Sequence, residues 1–301
     1  VMRQVYFSPV NSKSLDMMVF INGIPIASFE LKNELTQQNV SHAIQQYKDR
    51  DYKEELFRFA RLMVNFAVDT EQVWMCTHLK GDKSYFLPFN KGYENGAGNP
   101  PADGIKTAYL WEEILTKDSL TNIIQNFCQV IEEEKEYLDF KGVFRTKKEK
   151  KMIFPRYHQL IAVNSLLADA KINGTGQKYL IQHSAGSGKS NSISWLAHQL
   201  VGLHDLSGRH NVFDTVIVVT DRRVLDAQIR ENIKQFQQVK GVVQPITMGS
   251  KQLKVSLEEG KKIIVSTIHK FSMIADEMGS LPRNRFAIII DEAHSSLSGQ
   301  M

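Results

Sequence analysis

One nine-residue run, Gln182-His183-Ser184-Ala185-Gly186-Ser187-Gly188-Lys189-Ser190, limits the fold of this chain more than any other feature. It lies between KYLIQH (178–183), which reads as a strand, and 189–203, which reads as a helix. A glycine-rich turn in that setting is a P-loop. Gly186 and Gly188 let the main chain turn its N–H groups inward around a phosphate, and Ala185 and Ser187 complete the cradle. Lys189 is expected to reach the β- and γ-phosphates of ATP, and the Ser190 hydroxyl to ligate Mg²⁺. The helix N-terminus adds a dipole that favours the anion. The general pattern has glycine where His183 stands, so the loop is a variant.

Three more apolar runs follow: FDTVIVVT (213–220), KKIIVST (261–267) and FAIIID (286–291). They alternate with helical stretches, notably 223–238, which implies a parallel sheet covered on both faces. The last run delivers Asp291-Glu292-Ala293-His294 to the C-terminal end of a strand, where open α/β sheets bind ligands. Asp291 is expected to hold Mg²⁺ and Glu292 to position and activate the attacking water. Gln159, within Pro155-Arg156-Tyr157-His158-Gln159, is a candidate for the adenine side. VVTDRR (218–223) and VSTIHKF (265–271) end strands in polar or basic residues suited to gripping a nucleic-acid backbone; the plainer reading is ordinary strand-end loops.

The first half reads as α+β. LDMMVFI (15–21) and IPIASFELK (24–32) flank Asn22-Gly23, a strong hairpin signal. A helical stretch is expected from Val40 to Val68, short strands at 73–79 and 84–89, and helices over 108–116 and 118–138. The lysine-rich segment 141–154 reads as a solvated linker, or as one that contacts DNA. Across the hairpin, Asp16, Glu30 and Lys32 form D-x13-E-x-K. Two carboxylates on neighbouring strands, joined by the Leu31 carbonyl, can hold Mg²⁺ against a scissile phosphate, while a lysine orients water. Parity raises a difficulty. A strict two-residue turn would pair Asp16 with Phe29 and send Glu30 to the other face, so the site requires a longer loop or a bulge near Gly23 and Pro25. Tyr47, Lys48 and Arg50 follow on the next helix as candidates for approaching DNA, against a solvated helix face.

Bulk properties exclude little but bound the rest. The 301 residues suffice for two domains, and the net charge of +4 leaves any nucleic-acid surface to be local. Cys76 and Cys128 are far apart, with neither disulfide nor zinc spacing, so a cytoplasmic setting is expected. No apolar run approaches a membrane span. Both ends read as cut, marking a fragment of a longer chain.

RQVYFSPVNSKSLD, FINGIPIASFELKN, NFAVDTEQVWMCTHLKG, FLPFNKG, PRYHQL, QHSAGSGKS and IIIDEAH together resemble, in order and approximate spacing, the R (HsdR) subunit of type I restriction–modification enzymes. The resemblance covers nearly the whole chain. It implies a PD-(D/E)xK endonuclease-like domain over 1–140, a basic linker over 141–154, and the first RecA-like lobe of a superfamily-2 motor over 155–301. Asp16, Glu30 and Lys32 then become the metal and catalytic residues. Gly188, Lys189, Ser190, Asp291 and Glu292 become the ATPase residues, with Gln159 on the adenine side. His183 matches the family's own form of the loop. The resemblance also implies ATP and Mg²⁺ as cofactors, and double-stranded DNA and the methyltransferase (M) and specificity (S) subunits as partners. Two departures stand. The family's Gln-x-x-x-Tyr motif has Ala43 in place of glutamine before Tyr47, leaving Gln45 or Gln46 as substitutes. A second RecA-like lobe with its arginine finger lies beyond the sequence, so the fragment alone is expected to hydrolyse ATP poorly. The rivals are a stand-alone repair helicase–nuclease, an ATP-switched DNA-binding module with an idle D…ExK, and a small-molecule P-loop kinase.

Overall fold

The Asn22-Gly23 turn and the strands it joins organise the first part of the protein, seen in a computed structural model that describes residues 1–94, 96–140, 142–184, 186–220, 223–236, 241–273 and 285–292. The chain divides into two units, Val1–His158 and Gln159–Met301.

In the first unit β1 (Met2–Tyr6), β2 (Ser14–Ile21) and β3 (Ile24–Leu31) form an antiparallel meander. Helix α1 (Val40–Lys48) precedes β4 (Val64–Val68), which returns parallel to β3. β5 (Val73–Cys76) and β6 (Leu87–Pro88) extend the sheet, whose order is β1 to β6 in sequence. Its two faces are chemically distinct. One is covered by α1, with Met18, Ala43, Tyr47, Ala67 and Cys76 in one apolar cluster. The other is aromatic: Phe29 stacks on Phe66 at 5.3 Å, and Phe66 meets Phe89 and Phe154 edge-on at 5.4 and 5.9 Å.

Helix α1 ends at Lys48, so the helix expected to run to Val68 is corrected. All five residues of Val64–Val68 are buried, and β4 is hydrogen-bonded on both edges. A continuous apolar run covered on both faces carries no periodicity to separate strand from helix. The helix expected over 118–138 is likewise two elements, α2 (Lys117–Asn126) and β7 (Gln129–Leu138), and 108–116 holds a π-helical turn, Leu110–Ile114. The linker 141–154 is mostly β8 (Phe144–Ile153), paired antiparallel with β7. Glu132 faces Lys150 and Glu134 faces Lys148, favourable cross-strand pairs, although Glu133 faces Glu149 in the same ribbon.

The second unit begins within α3 (Tyr157–Asn173) and continues with α4 (Lys189–Val201), β9 (Thr215–Thr220), α5 (Arg223–Gln235), β10 (Val243–Pro245), α6 (Ser250–Glu258), β11 (Ile263–Thr267), α7 (Ile268–Ser272) and β12 (Phe286–Ile290). Its four described strands are all parallel, in the order β10-β11-β9-β12. Pro245, which has no N–H to give, sits on an edge strand. The strand expected at 178–183 is a correction: those residues join no sheet, and Leu180 is 87% exposed. Among the described residues no helix is long and apolar enough to cross a membrane.

Candidate functional site

The parity difficulty in the hairpin is resolved by a β-bulge. The turn itself is tight, with Ile21 opposite Ile24 and Phe20 opposite Pro25; Asn22 and Gly23 both take positive φ. The register then shifts between Val19 and Phe20, so Val19 faces Ala27, Met18 faces Ser28 and Met17 faces Phe29. Ile26 is the extra residue. Continued one step, that register sets Asp16 against Glu30. Pro25 beside the bulge has no N–H to lose to the ladder.

Glu30 therefore lies on the α1 face, fully buried. Its Oε1 accepts a hydrogen bond and ion pair from Arg50 Nη2, and its Oε2 is buried with no hydrogen-bond partner among the described residues. Burial pushes the Glu30 carboxyl up to about 7, the Arg50 charge opposing and the Asp16 charge assisting. Asp16 Oδ2 accepts from the Leu31 N–H at 2.8 Å. Lys32, two residues on and so on the same face as Glu30, donates from Nζ to Gln46 Oε1 at 2.6 Å. Two carboxylates and a lysine thus share one face. An orphaned, desolvated carboxylate oxygen beside a second carboxylate fits a divalent cation. Among the described residues no group of three or more His, Cys, Asp or Glu is placed to hold a metal, so a cation here would rest on two carboxylates and need a further oxygen, for which the Leu31 carbonyl is the candidate.

The residues proposed from α1 to approach DNA need correction. Tyr47 is fully buried, its hydroxyl 2.8 Å from Ser28 Oγ, which in turn donates to Asn65 Oδ1. Arg50 is 6% exposed and turned onto Glu30; Lys48 is half-buried. Of the two glutamines left open, Gln46 reaches Lys32, while Gln45 donates to Asp49 within its own helix. Arg50 is the residue that sequence reasoning misassigned. It stands two residues past the end of α1, where spacing reports nothing about its direction.

In the second unit Gly188 caps α4 with φ of +84°. A Cβ there would meet Gln159 Nε2 at 2.5 Å, and that amide donates to the Gly188 carbonyl at 2.9 Å. Positive φ and close approach both demand glycine. Gly186 also has positive φ; Ala185 lies outside the described residues, and Ser187 is buried at the loop's turn. Lys189 Nζ pairs with Glu292 Oε1 at 2.8 Å. The Asp291 N–H bonds the Val219 carbonyl at 2.9 Å, extending the β12–β9 ladder so that the acidic pair leaves the strand at its C-terminal end. Burial and then the Glu292 charge hold the Asp291 carboxyl above the usual range, while Lys189 opposes them. Lys189, Asp291 and Glu292, separated by about a hundred positions, thus meet, and Gln159 joins the same loop. Asp221, Arg222, Ala293 and His294 lie outside the described residues. Lys270, a backbone-gripping candidate, is instead bonded to the Ile246 carbonyl.

The fold defines a class: a mixed α/β chain whose second unit, with its parallel sheet, is a RecA-like ATPase lobe. Residues 1–84 match the family model "Type I restriction enzyme R protein N terminus", and residues 158–301 match "SWI2/SNF2 ATPase". The first match is to type I restriction enzyme R proteins and the second to SWI2/SNF2 ATPases, and the chain is similar to endonuclease subunits of type I restriction enzymes along nearly its whole length. It is 29% identical over 305 residues to the type I restriction enzyme HindI endonuclease subunit of Haemophilus influenzae, covering 94% of this chain and 26% of that protein. It is 24% identical over 307 residues to a type I restriction enzyme endonuclease subunit of Staphylococcus aureus, covering 100% of this chain and 29% of that one. The chain therefore spans little more than a quarter of the length of these relatives. Among solved structures, a fragment of a putative HsdR subunit from Vibrio vulnificus aligns with 97% of this chain and 45% of its own, at 17% identity and a TM-score of 0.34.

Proposed function

We propose that this chain is the nuclease and first motor lobe of a restriction subunit that couples ATP hydrolysis to translocation of duplex DNA and to Mg²⁺-dependent phosphodiester cleavage. The observation that carries the reading is the bulge that sets Asp16 against Glu30 and leaves Glu30 Oε2 buried and unpartnered. In this reading Asp16, Glu30 and the Leu31 carbonyl hold a divalent cation. When bound, it supplies Lewis-acid polarisation of the scissile phosphate. Lys32, steadied by Gln46, orients the attacking water and donates toward the developing charge.

At the second site Gly186, Ser187, Gly188 and Ala185 cradle the phosphates of ATP, and Lys189 leaves Glu292 to meet the β- and γ-phosphates. Ser190 and Asp291 hold Mg²⁺. Glu292, released by Lys189, orients water for attack. Gln159, already tied to the loop, serves the adenine side. Sequence choice and methylation belong to the S and M subunits.

The test is DNA cleavage and ATP turnover by the full-length subunit assembled with M and S. Asp16→Ala is expected to abolish cleavage and spare ATP turnover, and Lys189→Ala to abolish turnover. Undiminished cleavage by Asp16→Ala sinks the nuclease assignment.

A further inference from the structure

Arg50 touches both strands that carry the metal-binding carboxylates. Its Nη2 donates one hydrogen to the Ser14 carbonyl at 2.7 Å and the other to Glu30 Oε1. Ser14 lies on β2, two residues before Asp16; Glu30 lies on β3. The guanidinium is anchored from a further side. Its centre sits 5.0 Å from the Phe7 ring and 6.0 Å from Phe57, and the two rings meet edge-on at 4.9 Å. Both partners of the ion pair are almost fully buried, with side-chain exposures of 4% and 0%.

Such a pair costs more to desolvate than a surface pair and contributes little net stability over an apolar replacement. Its geometry, however, is restrictive. Glu30 keeps one oxygen on Arg50 and presents the other, which no group among the described residues satisfies. The main-chain end of the clamp fixes where β2 lies relative to that oxygen.

The geometry points to Arg50 as a positioning residue that clamps β2 to β3 and presents Glu30 Oε2, with Asp16, as a preformed divalent-cation site. This rests on the metal-nuclease reading above. Arg50 never meets the cation itself; it acts through Glu30.

Direct Mn²⁺ binding to the full-length chain, followed by electron paramagnetic resonance, tests the clamp apart from catalysis. Arg50→Met is expected to weaken Mn²⁺ binding about 10- to 100-fold, the range for loss of a group supporting a metal ligand. Arg50→Lys keeps the charge and can donate to both acceptors, but it loses the planar face on Phe7 and is expected to fall between wild type and Arg50→Met. In the assembled enzyme the Mg²⁺ concentration for half-maximal cleavage rises in the same order, and saturating Mg²⁺ restores most of the rate. A merely structural role would lower the rate without moving that midpoint. Wild-type Mn²⁺ affinity in folded Arg50→Met overturns the clamp; should that variant not fold, wild-type affinity in Arg50→Lys does the same. Asp16→Ala separates the two ideas. Its loss of Mn²⁺ binding keeps the nuclease reading standing when the clamp falls, and its retention of binding sinks both.

Discussion

Glu30 buries an ionisable oxygen that has no hydrogen-bond partner among the described residues, and burial pushes its carboxyl up to about 7. A carboxyl raised on folding stabilises the protein in its protonated form. That contribution is full below about pH 4.5 and is lost as pH rises through about 7. The stability of Glu30→Gln relative to wild type in the absence of metal is therefore expected to rise across that window, as followed by thermal melting. A cation competes with the same proton, so Mn²⁺ binding is expected to tighten about tenfold between pH 6 and pH 8, tracking the ionised fraction. Affinity flat with pH contradicts the assignment. At the other site Glu292→Gln is expected to retain ATP binding and to lose about a hundredfold or more in turnover, the scale of a lost general base. A parallel loss of nucleotide affinity would show that the Lys189–Glu292 pair supports the loop itself.

At the scale of elements, the bulge in β3 decides which face Glu30 occupies. Removing Ile26, the extra residue, closes the bulge and leaves Val19 against Ala27, Met17 against Phe29 and Asp16 against Glu30. The deletion is expected to keep Mn²⁺ binding in a folded variant; loss of that binding without loss of the fold refutes the register. The P-loop is pinned more locally. Gly188→Ala meets positive φ and the Gln159 amide at once. It is expected to cost roughly 1–3 kcal/mol of local strain and to weaken nucleotide binding, measured with a fluorescent ATP analogue. Legibility differed between these elements for a physical reason. Asn22-Gly23, β9, β11 and β12 announce themselves through turn chemistry and β-branched runs. β4 was mistaken for helix because a strand buried on both faces has no period. KYLIQH has the composition of a strand, but a strand exists only where a neighbour supplies hydrogen bonds, and among the described residues none does.

Across the whole molecule, the two sites lie in separate units and share no residue. Their intrinsic binding properties are accordingly expected to be additive. Lys189→Ala should leave Mn²⁺ affinity at Asp16 and Glu30 within about twofold, the additivity expected of independent sites. In the assembled full-length enzyme the proposed function, in which cutting follows translocation, predicts that the same substitution abolishes cleavage. Cleavage that persists without ATP turnover would separate the two activities and favour a nuclease that works independently of the motor.

The sequence alone determined the chemistry available: a P-loop, an acidic pair about a hundred residues later, and a D…ExK across a hairpin. These are local patterns, and local sterics and hydrogen bonding suffice to write them. Tertiary structure decided the rest. It chose the bulge that brings Glu30 to Asp16, the inward turn of Arg50, the reach of Gln46 to Lys32 and the meeting of Lys189 with Glu292. Each depends on which distant strand or helix packs alongside, and the loop-closure entropy and burial that settle that choice belong to the whole chain.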